Sequence, residues 1–148
     1  MNKYLLRCVV VGGLFCLSAC SILSPKAEYI PDNRELKPAT VGVPYFVKID
    51  IIGGRVIGGW YHPEPQYRPG LVTPNDAGIF LRNCQLTGRK TQSLMPKERL
   101  YNGNCIEVYG TPLKAGELKI NINGGMYGNM FAPASEFSKE YTLNVVEP

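Results

Sequence analysis

Three segments of this chain alternate between apolar and polar side chains with a period of two, and this pattern constrains the fold more than any other feature. The segments are residues 45–51, 118–123 and 137–145. Successive side chains of a β-strand point to opposite faces, so such alternation is typical of antiparallel strands with one buried face. Each segment is therefore predicted to be a strand that covers one side of a core.

Further strands are predicted from weaker patterns at residues 55–61, 78–86 and 104–109. The chain of 148 residues contains 16 glycines and 12 prolines, which indicates many turns and few long helices. No segment has a helical period. Six or more short strands divided by glycine and proline turns predict an all-β chain that folds as a single antiparallel β-sandwich.

The chain begins with a segment that has the features of a secretion signal. Lys3 and Arg7 provide positive charge, and residues 8–17 are apolar and uncharged. This apolar run is too short to span the ~30 Å hydrocarbon core of a bilayer as a helix. Small residues then lead to Cys20, and the sequence LSAC at 17–20 resembles the bacterial lipobox.

The lipobox resemblance implies that residues 1–19 are a cleaved signal peptide and that Cys20 carries a covalent lipid. Several acyl chains, at ~0.8 kcal/mol per buried CH₂, would hold the protein stably on a membrane. Ser21 in place of Asp implies the outer membrane, with the domain facing the periplasm. An ordinary cleaved signal peptide and an uncleaved anchor helix are the alternatives.

The residues after the lipobox divide into two parts. Residues 20–38 mix prolines with charges and show no period, which predicts a flexible tether after the lipidated cysteine. Docking of its last residues on the domain is the alternative. Residues 39–148 are predicted to form the folded domain. The formal net charge of +4 falls to +2 when Lys3 and Arg7 leave with the signal peptide, so the charge does not indicate nucleic-acid binding.

The cysteines divide by their predicted fate. Cys8 and Cys16 leave with the signal peptide, and Cys20 carries the lipid, so Cys84 and Cys105 remain. A pair of cysteines in an oxidising periplasm predicts a disulfide. Two free buried thiols are the alternative, and no metal site is expected because only one histidine, His62, could join them.

Four short motifs resemble the bacterial putative-Ig family, whose members are cadherin-like, Ig-like domains. They are TVGVPY at 40–45, PGL at 69–71, GTPLKAG at 110–116 and SKEYTLNV at 138–145. The resemblance implies an Ig-like β-sandwich over about residues 38–147. It implies little about function, because the family is mainly structural or adhesive. The long stretch between the second and third motifs predicts a disulfide-containing insert at about residues 72–109.

Two segments carry candidate binding residues. The first is a basic stretch between the paired cysteines. It is either a solvated hairpin tip or a loop that the disulfide holds in place to bind an anionic partner. The second is a proline-rich segment whose aromatics would form a stacking surface for sugar or peptide, unless its tryptophan caps the core. The candidates are Arg89, Lys90, Lys97 and Arg99 in the first segment, and Trp60 and Tyr61 in the second.

A glycine-rich stretch at residues 124–131 also contains methionine and phenylalanine side chains. It lacks the order of residues that cradles phosphate in a P-loop. The alternatives are a contact patch for another protein and a long hairpin turn folded onto its own domain.

Catalysis has little support in the sequence. His62 is the single histidine, and the sequence shows no third partner that would complete a Ser–His–Asp set or a hydrolytic zinc site with it. We expect no enzyme activity, no catalytic residue, no metal and no cofactor apart from the lipid on Cys20.

Three functions remain after catalysis is set aside. The leading prediction is a membrane-anchored envelope lipoprotein that binds or scaffolds a protein partner. The alternative is a carbohydrate-binding module for peptidoglycan or lipopolysaccharide. The third, an inhibitor of an attacking enzyme such as lysozyme, is weakened by the +2 charge because inhibitors of a basic enzyme tend to be acidic.

Overall fold

The computed structural model describes residues 23–57, 69–85 and 101–148. These residues form strands, turns and irregular segments without a helix, so the all-β class predicted from the sequence is confirmed. Eight strands follow in chain order: β1 (Glu28–Ile30), β2 (Ala39–Thr40), β3 (Tyr45–Ile52), β4 (Gly70–Thr73), β5 (Ile79–Gln85), β6 (Tyr101–Gly110), β7 (Gly116–Met126) and β8 (Ser135–Val146).

The strands form two four-stranded sheets, with the orders β1-β3-β6-β5 and β2-β8-β7-β4. Neighbouring strands are antiparallel except β2 and β8, which are parallel at Ala39↔Val145 and Thr40↔Val146. The prediction of a purely antiparallel sandwich is corrected at this pair. β2 and β8 are separated by most of the domain, and a long connection between two strands permits parallel pairing.

The core lies between the two sheets and explains the period-two pattern. Ile49 and Ile51 of β3 face Ile120, Ile122 and Leu143 of the second sheet, and all five are buried. Full burial of such a side chain stabilises the fold by about 1.5–3 kcal/mol. The predicted β-sandwich is therefore confirmed.

The three clearly alternating segments all lie in strands, and each of these strands is longer than predicted, β3 by one residue. β7 and β8 pair continuously from Gly116↔Val145 to Met126↔Ser135. The weaker patterns at 78–86 and 104–109 correspond to β5 and β6. Of the predicted strand at 55–61, the described residues 55–57 form only an isolated bridge, Val56↔Met126.

Residues 28–38, the last residues of the predicted tether at 20–38, contact the folded domain. β1 pairs with the end of β3, from Glu28↔Ile52 to Ile30↔Asp50. Farther along, the amide of Leu36 donates to the carbonyl of Thr142 at 2.9 Å, and the Leu36 side chain is buried. Because this segment contributes single apolar residues to two different sheets, it shows no period of its own.

Lys139 of β8 contacts the residues at the end of β1 and just after it. Its ammonium group donates to the carboxylate of Asp32 at 2.7 Å and lies 4.7 Å from the centroid of the Tyr29 ring. The hydroxyl of Tyr141 donates to the carbonyl of Pro31 at 2.7 Å. The hydrogen bond from Lys139 lowers the pKa of Asp32, and burial raises the pKa of Tyr141. Residues 29–32 thus belong to the domain.

β5 and β6 lie within the predicted insert at about residues 72–109 and are integral strands of the first sheet. β6 lies between β3 and β5, and its residues Ile106 and Val108 are buried in the core. Of the predicted insert, only residues 86–100 lie outside the described residues.

The predicted disulfide between Cys84 and Cys105 is present in the structure, with 5.3 Å between the Cα atoms. It lies at an irregularity between β5 and β6, where Asn83 pairs with Ile106 but Cys84 pairs with Asn102. Residues 103–105 therefore form a bulge in β6. Asn83 Nδ2 donates to the carbonyl of Cys105 at 3.2 Å, so the amide partly compensates for the interrupted ladder.

The bulge aims the side chain of Asn104 at the loop that follows β3. Asn104 Oδ1 accepts a hydrogen bond from the amide of Val56 at 3.0 Å. Its Nδ2 donates to the carbonyls of Ile51 at 2.8 Å and Gly54 at 2.6 Å. One side chain thus satisfies three backbone groups and holds residues 51–56 in place.

We expect the variant Asn104→Ala to lower the free energy of unfolding by about 1–3 kcal/mol, since it leaves partly buried backbone groups without partners. Urea denaturation would measure this change. Asn144→Ala is the matched control, because Asn144 is exposed on β8. Equal stability of the two variants would contradict the role given to Asn104.

The glycine-rich stretch at 124–131 divides into a strand and a turn. Gly124, Gly125 and Met126 lie in β7, and Met126 is fully buried. The turn begins after Met126, and it is Met130 and Phe131 that face solvent. The prediction of a loop is therefore wrong for residues 124–126, because pairing with β8 continues to Ser135.

Across the three described ranges, no helix is long and apolar enough to cross a membrane.

Candidate functional site

The structure brings together one predicted pair of site residues, Cys84 and Cys105. The other predicted site residues lie outside the described residues: Cys20, Trp60, Tyr61, Arg89, Lys90, Lys97 and Arg99. His62 also lies there. Their roles in lipidation and binding remain predictions.

The two ends of the sandwich differ in the loops and exposed side chains that lie there. We call the end at which β3 finishes and β6 begins the basal end. At this end the hydroxyl of Ser135 donates to the carbonyl of Pro25 at 2.5 Å, so the described chain starts here. The opposite end, where Tyr45 and Ile79 both pair with Gly110, is the distal end.

Both internal segments with predicted binding residues join the described chain toward the basal end. The amide of Ile57 donates to the carbonyl of Gly125 at 2.8 Å, and Pro69 accepts from Asn123 at 3.2 Å. Gln85 and Tyr101 form the last pair between β5 and β6. The described residues that flank these two segments thus lie away from the distal half of the first sheet.

An exposed row of aromatic side chains lies in that distal half, on the solvent face of the first sheet. Phe46 of β3 and Phe80 of β5 both pair with Tyr109 of β6, which lies between them. Phe46 is 59% exposed and Phe80 is 53% exposed. We call Phe46, Tyr109 and Phe80 the aromatic row. Val43 and Leu113 add exposed apolar surface at the same end.

A charged row runs beside the aromatic row, one register step toward the basal end. Lys48 and Arg82 both pair with Glu107. Arg82 Nε donates to Glu107 Oε2 at 2.5 Å, and this hydrogen bond raises the pKa of the guanidinium group. The charged row therefore includes a charge-assisted hydrogen bond with a defined geometry.

Arg82 also contacts the aromatic row. Its Cζ lies 4.1 Å from the centroid of the Tyr109 ring, which places the guanidinium group over that ring. The rings of Phe80 and Tyr109 are 6.0 Å apart between centroids and are tilted by 43°. The aromatic row is thus an uneven apolar surface and not a flat one, and the guanidinium group of Arg82 covers one face of the Tyr109 ring.

Sequence reasoning missed the aromatic row, although its three residues lie in segments predicted to be strands. The sequence does show an aromatic side chain at a polar position of each strand. Phe46, for example, alternates with buried residues in the same way as the polar residues Lys48 and Asp50. One such residue is ordinary on a protein surface. Only the pairing register, which sequence alone does not supply, places the three side by side.

Within the described ranges, no group of three or more histidine, cysteine, aspartate or glutamate side chains could hold a metal ion.

Comparisons with known proteins add no relative: no family model matches the chain, and neither a curated protein nor a solved structure matches it.

Proposed function

We propose that this protein is a lipid-anchored protein of the bacterial envelope that binds or scaffolds a protein partner without catalysis. The lipobox resemblance of residues 17–20 supports the anchor on Cys20 and the outer-membrane location facing the periplasm. The disulfide fits an oxidising compartment. The aromatic row supplies the surface on which the partner would bind.

The exposure of the aromatic row is the observation that carries this proposal. Phe46 and Phe80 each leave more than half of a large apolar side chain in water. Removal of apolar surface from water favours association, and aromatic and arginine side chains are enriched where protein interfaces are strongest. Arg82 beside the aromatic row fits this composition.

The geometry of the row favours a protein over a carbohydrate as the partner. A sugar ring stacks on an open, flat aromatic face, and polar side chains bind its hydroxyls. Here Arg82 occupies a face of Tyr109, and the Phe80 ring is tilted against Tyr109. Phenylalanine also has no polar atom for a hydroxyl. Apolar side chains of a protein can fill such an uneven surface.

A site-specific crosslinking experiment tests the proposal. A photo-crosslinking amino acid at position 46 or 80 of the full chain in living cells should give a discrete crosslinked protein. Leu71 is the matched control position, because it is similarly exposed but lies on β4 of the other sheet. With the crosslinker at position 46, the change Phe80→Ser should reduce the product at least tenfold, which corresponds to about 1.4 kcal/mol of binding free energy.

Two outcomes would contradict the proposal. Equal products from positions 46, 80 and 71 would show that the aromatic row is not the binding surface. Binding to purified peptidoglycan or lipopolysaccharide that is lost in Phe46→Ser would instead support the carbohydrate alternative. The anchor is tested separately: Cys20→Ser should abolish labelling by a fatty-acid probe, and labelling that persists would refute it.

A further inference from the structure

The tip of the β7–β8 hairpin displays the two most exposed large apolar side chains of the described residues. Met130 is 94% exposed and Phe131 is 80% exposed. Adjacent exposed apolar side chains are typical of surfaces that contact another protein or a membrane.

The tip is a well-defined turn that holds these side chains outward. The amide of Asn129 donates to the carbonyl of Ala132 at 2.9 Å, and the amide of Phe131 donates to Asn129 Oδ1 at 2.8 Å. Gly128 packs so closely that a Cβ there would overlap with the carbonyl oxygen of Ala132. Met130 and Phe131 are therefore the central residues of a closed turn.

The hairpin tip lies at the basal end, where the described chain starts. Met126 and Ser135 form the last pair of the hairpin before the turn, and Ser135 also hydrogen-bonds Pro25. Pro25 is five positions after Cys20 in the sequence. A fully extended chain spans at most about 3.6 Å per residue, so a lipid on Cys20 would lie within about 18 Å of Pro25.

We propose that Met130 and Phe131 insert into the lipid surface to which Cys20 anchors the chain. This inference rests on the lipid anchor of the proposed function. A projecting turn with two apolar side chains buries little area against another protein, whereas a bilayer interface accommodates a protrusion of this shape. Contacts of this kind bury apolar groups at the boundary between headgroups and acyl chains.

Insertion of the tip would set the orientation of the domain. The basal end would face the bilayer, and the aromatic row, in the distal half, would point away from it. The partner-binding surface would then be presented to the periplasm instead of being hidden against the membrane.

Depth-dependent fluorescence quenching tests the inference on the full-length lipidated protein in phosphatidylethanolamine–phosphatidylglycerol vesicles that contain brominated lipids. The variant Phe131→Trp should show a blue shift and strong quenching. Phe80→Trp, at the aromatic row, is the matched control and should show neither. Trp60 is the single native tryptophan, so its signal is measured in the parent protein and subtracted.

Flotation of the same samples separates the two possible failures. Protein that floats with the vesicles and shows quenching only in Phe131→Trp supports the inference. Protein that floats without that quenching overturns the inference and leaves the anchor intact. In that case, a protein crosslink from position 131 would show that a protein, and not the lipid surface, contacts the tip. Protein that does not float refutes the lipid anchor and, with it, insertion of the tip.

Discussion

Replacing Gly110 with alanine should lower the free energy of unfolding by roughly 3 kcal/mol or more, from backbone strain combined with lost hydrogen bonds. Gly110 ends β6 with φ of +134°, a conformation that side chains with a Cβ rarely adopt. A Cβ at this position would also overlap with the carbonyl oxygen of Gly78. That oxygen accepts a hydrogen bond from the amide of Thr111 at 3.0 Å, so relief of the overlap would break this contact.

Gly116→Ala separates conformational strain from steric overlap. Gly116 has a similar φ of +139°, but no atom lies within 4 Å of a Cβ built there. We expect this variant to lower the free energy of unfolding by the backbone strain alone, about 1–3 kcal/mol. Thermal and urea unfolding of both variants would measure the difference. Equal losses would show that the close approach of Gly110 to Gly78 adds nothing to the stability.

The Gly110 variant should also weaken binding at the aromatic row. Tyr109 directly precedes Gly110, and Gly110 pairs with Tyr45 and Ile79, the neighbours of Phe46 and Phe80. A shift of the backbone here would change the spacing of the three rings. Gly116→Ala, outside this sheet, should leave the crosslink from position 46 unchanged.

Sequence patterns predicted the long strands that bury one face against the core. The regular alternation of β3, β7 and β8 survives in the structure because each buries a single face against one core. β1, β2 and β4 were missed because they contain three, two and four residues, too few to establish a period. Leu36 and Tyr141 meet the same core from distant parts of the chain, and only the tertiary structure reveals this.

The candidate site was less predictable than the fold. The disulfide followed from counting cysteines, since the predicted removal of two with the signal peptide and lipidation of a third left one pair. The aromatic row depends on cross-strand register, and the bulge in β6 changes that register between Asn83 and Cys84. The outward projection of Met130 and Phe131 depends on where the β7–β8 pairing stops. None of these relations is local in sequence.

Removal of the disulfide should lower the free energy of unfolding by about 3 kcal/mol, on the chain-entropy argument for a loop of this length. Cys84 and Cys105 are 21 residues apart, and both are buried. The double variant Cys84→Ala, Cys105→Ala avoids a free thiol. Reductant should destabilise the parent protein by a similar amount and leave the double variant unchanged.

The disulfide and Asn104 should be energetically coupled, because both act on the same bulge of β6. Cys105 anchors the bulge to β5, while Asn104 connects it to residues 51–56. Once the disulfide is absent, the bulge can relax, and the further loss from Asn104→Ala should be smaller than in the parent protein. A double-mutant cycle from urea denaturation measures this difference, which for contacting residues is about 0.5–3 kcal/mol. Strict additivity would show that each contact holds its own segment independently, and the bulge would then not act as a single unit.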